Sequence, residues 1–114
     1  MALSQPYHGS LTVSTTELSL VSGTNVLQSN TTAGVYQLFL DLSALAAGDS
    51  FRVRIKEKVN AGTQGAIEDA TIAGAVGLPI YASPSLLLLD GWDMTIINVE
   101  GTARIIPYSI RQVA

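Results

Sequence analysis

Between Ser50 and Asn60 the chain reads Ser-Phe-Arg-Val-Arg-Ile-Lys-Glu-Lys-Val-Asn. Phe51, Val53, Ile55 and Val59 fall on one face of an extended strand, and Arg52, Arg54, Lys56 and Lys58 fall on the other. Side chains alternate across a strand with period two, whereas a helix groups every third and fourth residue. The segment is therefore a half-buried β-strand with a cationic outer face, and it requires a sheet that rests on a core with one side only. These are four of the six cations in a chain of net charge −3. Arg52, Arg54, Lys56 and Lys58 form the candidate protein-docking face, which would meet an acidic surface on a partner or a neighbouring subunit. The competing reading is a solvated strand face, where Lys and Arg guard a sheet against unwanted pairing.

Other segments repeat the extended pattern. Ser10–Ser14 and Glu17–Ser22 are short and β-prone. In Val35–Leu42, the residues Tyr36, Leu38, Leu40 and Leu42 share a face, and Gln37 and Asp41 lie opposite with Phe39 between them. Ser43–Gly48 has room for one helical turn, capped by Ser43 and ended by Gly48. The spacing makes Val35–Leu42 and Ser50–Asn60 antiparallel neighbours, with Asp41 near the cationic face. Ala61–Gly65 reads as a loop and Ala66–Ala73 as a strand. Leu86–Leu89 reads as buried on both sides or as a subunit interface. Trp92–Val99 and Ala103–Val113 read as a hairpin closed around Glu100-Gly101-Thr102. Pro107 has no N–H to donate, which puts the last strand at a sheet edge or marks a bulge. About eight strands and no sustained helical period give an all-β chain, a two-sheet antiparallel β-sandwich of the jelly-roll kind. Residues 1–9 read as a flexible N-terminal arm and 10–114 as a single sandwich domain.

A chain of 114 residues can bury about two-thirds of its unfolded surface, enough to fold without staples. The absence of cysteine excludes disulfides and thiolate metal sites and suits a reducing cytoplasm. Charged residues make up only 13%, about half the usual share, beside 47% apolar residues. So little charge leaves part of the exterior to be covered by another protein, which predicts a homo-oligomer or a docked subunit. The acidic balance argues against nucleic acid, and no aromatic residue interleaves the cations as a stacking platform. No apolar run approaches the roughly 20 residues a membrane helix needs, and Met1–Gly9 lacks a leader pattern.

Nothing in the sequence assembles a catalytic centre, so the expectation is no enzyme and no cofactor. His8, the one histidine, lies in a polar segment, and adjacent Glu68 and Asp69 point to opposite faces of a strand. Asp90 and Asp93 flank a turn and match no calcium loop. Trp92 alternates with Met94 and Ile96, which predicts a core position rather than a sugar-stacking platform.

Two stretches carry a family likeness: Gly34 to Ile55, which includes Asp41-Leu42-Ser43-Ala44-Leu45-Ala46-Ala47-Gly48-Asp49, and Gly91-Trp92-Asp93-Met94-Thr95 leading to Tyr108-Ser109-Ile110-Arg111. They resemble small proteins encoded among the structural genes of tailed bacteriophages, and the resemblance covers most of Gly34–Val113. It implies a virion component, in first place a capsid cement or decoration protein on the capsid exterior, assembled in the host cytoplasm. Such proteins are often small β-sandwiches bound as trimers at threefold positions, so the implied partners are further copies of the chain and the major capsid protein. A tail or fibre component is the neighbouring reading. A sandwich module for carbohydrate or host-surface recognition is the alternative, and it needs an exposed Trp92.

Overall fold

A computed structural model describes residues 3–60, 62–74, 77 and 79–113. Strands β1 (Leu3–Val13), β2 (Leu18–Ser19), β3 (Gly34–Asp41), β4 (Ser50–Glu57), β5 (Gly65–Ala73), β6 (Ile80–Ala82), β7 (Leu86–Leu88), β8 (Asp93–Glu100) and β9 (Arg104–Val113) follow in order, with no helix among the described residues. Sheet A runs β1–β9–β3–β6, with β7 also on β3, and sheet B runs β2–β8–β4–β5. All pairs are antiparallel. The pairing is nested: β1 with β9, β2 with β8, β3 with β6 and β7, β4 with β5. One long hairpin with its tip between β4 and β5, rolled so that successive pairs fall in opposite sheets, is a jelly roll. Because β6 and β7 share one position beside β3, the nine segments fill eight places, as the turn spacing predicted.

The core lies between the sheets. Tyr36, Leu38 and Leu40 of β3, with Ile106 and Ile110 of β9, face Phe51, Val53 and Ile55 of β4 and Met94 and Ile96 of β8. Trp92 is 0% exposed, as its alternation with Met94 and Ile96 predicted. Its ring lies 4.5 Å from that of Tyr36 and 6.0 Å from that of Tyr7, and its Nε1–H donates to the Thr32 carbonyl at 3.0 Å.

Several expectations are corrected. β3 and β4 are not neighbours, since β3 lies in sheet A and β4 in sheet B. Asp41 is therefore in the opposite sheet from the cations. β8 and β9 make no hairpin either; the loop between them carries the chain from sheet B to sheet A. β9 is interior rather than an edge, and its ladder with β3 ends at Leu40 opposite Tyr108, one residue short of Pro107. On that side the missing N–H has no partner to serve. The expected arm is strand from Leu3 onward, paired with β9 from Leu3–Val113 to Val13–Arg104. Met1, Ala2, Ala61 and Ala114 lie outside the described residues. In the leucine run, Leu88 is buried but Leu87 and Leu89 are exposed, so the run alternates rather than being buried on both sides. Ser43–Gly48 forms turns, not a helical turn.

Asp49 holds the corner where the chain changes sheets. It is 4% exposed. Its carboxylate accepts the Ala46 N–H at 2.9 Å, the Thr102 N–H at 3.1 Å and the Arg104 Nε–H at 2.7 Å, and its own carbonyl accepts the Gly74 N–H at 2.7 Å. Gly101 sits against it at φ +88°, where a Cβ would collide with Asp49 Oδ1. Asn98 Nδ2 donates to the carbonyls of Glu100 and Thr102 and closes the same loop. The Ala46 amide, then Arg104 and the Thr102 amide, hold the Asp49 carboxyl at about 2 against an ordinary 3.8, with burial opposing.

Two outcomes follow from this packing. Trp92→Ala should destabilise the fold by roughly 3–5 kcal/mol in urea denaturation, because its ring is fully enclosed. A carboxyl whose pKa is depressed by folding adds stability above its unfolded pKa and loses it as pH falls through its folded one. The Asp49 contribution should be complete above about pH 4 and fade towards pH 2. Urea midpoints across that window should fall less steeply in Asp49→Asn than in the wild type, and parallel slopes would refute the assignment.

Candidate functional site

Alternation along β4 places Arg52, Arg54 and Lys56 on the outer face of sheet B, as predicted. There they meet acids that the sequence left unassigned. Arg52 grips Asp69 of β5 with two nitrogens, Nε at 2.9 Å and Nη2 at 2.5 Å. Arg54 Nη2 lies 2.5 Å and Lys56 Nζ 3.3 Å from the same atom, Glu17 Oε2. The Thr95 hydroxyl donates to that oxygen too, at 2.6 Å. Burial pushes the Glu17 carboxyl up, but Thr95, Arg54 and Lys56 together outweigh it and hold it below its usual range. The fourth cation, Lys58, lies beyond the end of β4. Its N–H donates to the Asp90 carbonyl at 3.0 Å, and its aliphatic stem covers Gly91, where a Cβ would clash with it. Three cations are thus ion-paired inside the chain, two of them on one carboxylate, and the fourth is out of line with them.

Beside this row, the loop after β2 folds over β8. Asp93 stands opposite Lys56 on the outward face, yet it is fully buried. Its carboxylate accepts the Ser19 hydroxyl at 2.7 Å, the Gln28 N–H at 2.9 Å and the Met94 N–H at 2.9 Å. Burial raises its pKa against these donors and the nearby Lys56 charge. Gln64 Nε2 ties the cover down by donating to the Gln28 and Gly91 carbonyls at 3.0 and 2.7 Å. Glu17 and Asp93 were missed by sequence reasoning because Glu17 shares no strand with its partners, and the Ser19 and Gln28 donors that enclose Asp93 lie far from it along the chain.

The outer face of sheet A is different in kind. Register places Leu3, Val113, Val35 and Leu87 in one row across β1, β9, β3 and β7. The next row along the strands holds Arg111 and Gln37, and the one after it His8, Ser109, Phe39 and Ala82. A fourth holds Ser10 and Pro107 beside Asp41 and Ile80. Ile105 and Thr12 make the fifth. Leu3 and Leu87 are 75% and 81% exposed. Arg111 and Asp41 are the only Lys, Arg, Asp or Glu in these rows. Neither forms an ion pair among the described residues. Arg111 lies over the Phe39 ring at 4.0 Å, and Asp41 Oδ1 accepts the Ser43 N–H at 3.0 Å. At the end of the sandwich that Leu87 borders, Val59 and Leu89 stand exposed around a shallow groove with Glu57, Lys58 and Asp90.

His8 is exposed, and its Nδ1 lies 2.9 Å from the Gln5 carbonyl. Among the described residues no three His, Asp or Glu side chains are gathered as metal ligands, and no helix is long and apolar enough to cross a membrane. Trp92, enclosed by Tyr36 and Tyr7, offers no ring to a sugar. The chain matches no protein-family model, no curated protein and no solved structure.

Because Arg54 and Lys56 converge on Glu17, reversing both with Arg54→Glu and Lys56→Glu puts three carboxylates beside Thr95. The fold should lose roughly 1–3 kcal/mol, more than a solvated pair would cost. Adding Glu17→Lys should recover part of it. Unchanged urea midpoints would show that the three charges act independently.

Proposed function

We propose that this chain is a structural virion protein of a tailed bacteriophage, in first place a capsid cement or decoration protein that binds the head shell from outside and stabilises it. A tail or fibre position is the second place in the same class. Under this reading it is assembled in the host cytoplasm. Its partners are the major capsid protein and further copies of itself. It acts by contact rather than by catalysis. The observation that carries the reading is the gathering of exposed apolar side chains at one end of the sandwich, Leu3 and Leu87 at the end of the charge-poor outer face of sheet A and Val59 and Leu89 beyond it. Exposed apolar side chains gathered in this way mark a surface that another protein covers. The jelly-roll frame supports it as well, since a rigid double sheet holds such a surface flat and in fixed register.

The end bearing Val59 and Leu89 is read as the part that meets the shell. The test adds purified protein to phage heads lacking it, followed by sedimentation and measurement of head heat resistance. Binding should saturate at a fixed number of copies per head and raise the temperature at which heads break. Val59→Asp with Leu89→Asp should reduce occupancy at least tenfold, since both remove apolar contact and add two carboxylates beside Glu57 and Asp90, with Lys58 the one cation among the described residues lining the groove. Attachment should survive moderate salt, because the strand cations are already paired internally. Heads that take up no wild-type protein would overturn the proposal.

A further inference from the structure

We infer that two copies of this chain pair face to face through the outer side of sheet A, about a twofold axis that runs across the strands along the Phe39–Ser109 row. The inference deepens the self-association in the proposed function, and it replaces the threefold arrangement implied by resemblance with a twofold one.

Among the described residues this face carries one cation and one anion, Arg111 and Asp41, and neither is ion-paired with another described residue. Arg111 lies one row to one side of Phe39 and Ser109, and Asp41 lies one row to the other side. An isologous contact presents the same patch twice, so each residue meets the residue that the axis exchanges it with. An axis across the strands at the Phe39 row exchanges the Arg111 row with the Asp41 row. Arg111 of one copy then stands one strand over from Asp41 of the other, a lateral offset of about 4.8 Å that an arginine side chain spans. The symmetry produces the contact twice. An axis along the strands, between β9 and β3, would instead set Arg111 against Gln37 and Asp41 against Pro107, leaving both charges covered and unpaired. Burying an unpaired charge is costly, so the charges select the first axis.

The same operation treats the apolar residues consistently. The Phe39 row meets itself. The row of Leu3, Val113, Val35 and Leu87 meets the row of Ile105 and Thr12. Five rows at about 6.8 Å and four strands at about 4.8 Å give a face of roughly 500 Å² per copy, or about 1,000 Å² in total, the lower bound for a specific interface. Twisted sheets of the same hand stack in this near-aligned way inside sandwiches. Sheet B offers no such surface, because its outer charges are paired and its centre is covered by the loop through Gln28.

The full-length chain is tested by sedimentation equilibrium at micromolar concentrations. The wild type should be a dimer. Arg111→Glu and Asp41→Arg should each weaken dimerisation at least tenfold, because each leaves like charges facing, and the two changes in one chain should restore it to within about threefold. Both side chains are on the surface, so melting curves of the monomeric variants should match one another. A second measurement needs no charge change. The chain has no cysteine, so Ser109→Cys introduces a single thiol on the axis row. A short bis-maleimide should link two such copies, and Thr71→Cys on sheet B should give no link. A wild-type monomer, a trimer, a dimer indifferent to both charge changes, failure of the doubly changed chain to recover, or equal linking at Ser109 and Thr71 would each overturn the twofold pair. Head binding through Val59 and Leu89 is read separately, so its failure is distinct from this one.

Discussion

The jelly roll requires the chain to change sheets after almost every strand, and one buried carboxylate holds two of those crossings at a single corner. Asp49 sits just before β4, where the chain has come over from β3. It accepts hydrogen bonds from Ala46 on the incoming loop, from Thr102 on the loop that carries β8 over to β9, and from Arg104 at the start of β9. Its carbonyl also pins Gly74 at the end of β5. Amides at a crossing have no strand to pair with, and enclosed amides without partners are costly. A charged acceptor with several donors satisfies them together, and the depressed pKa of Asp49 is the trace of that arrangement. The alignment of Phe51 and Ile96 against Leu38 and Ile110 depends on this corner, because it fixes where β4 and β9 begin.

Legibility in the sequence stopped at the boundary between face and partner. The alternation of Phe51, Val53 and Ile55 against Arg52, Arg54 and Lys56 gave the strand and its buried side, and Trp92, Met94 and Ile96 were legible as core in the same way. Period two states which side of a strand is apolar and nothing about which strand lies beside it. Short links such as Gly101-Thr102-Ala103 therefore look like hairpin turns, although here they step between sheets. The acids Glu17 and Asp69 were invisible as partners of the cations because the pairing joins different strands. Asp93 was unreadable as a buried residue because its cover comes from Gln28, 65 positions away along the chain. Leu3–Gly9 looked like a loose arm because its residues are mostly exposed and polar, and what holds them is backbone pairing to β9, which composition does not encode.

The two outer faces divide the work of charge. Sheet B carries three of the six cations and closes them on Asp69 and on Glu17 beside β2, so its surface is polar and internally paired. The outer face of sheet A carries almost no charge and leaves its single cation and single anion apart, each without an ion-pair partner among the described residues. The basic stripe drew attention in the sequence because it is dense, yet dense charge in a folded domain tends to find local partners. The sparse face is where a second molecule has something to add.

The break between β6 and β7 has a consequence for how assemblies of this chain can grow. Ser83 interrupts the edge of sheet A: its hydroxyl accepts the Leu38 N–H at 2.9 Å, and its N–H donates to the Leu38 carbonyl at 2.9 Å. The edge on that side is left as two three-residue pieces, and their pairings with β3 are offset by one residue. The opposite edge, β1, runs for eleven residues and carries no Lys, Arg, Asp or Glu. Head-to-tail stacking of sheets would need both edges to be straight and continuous, since each added copy offers one and consumes the other. A notched edge denies the second half of that contact, so sheet A cannot be extended edge to edge in an open-ended stack.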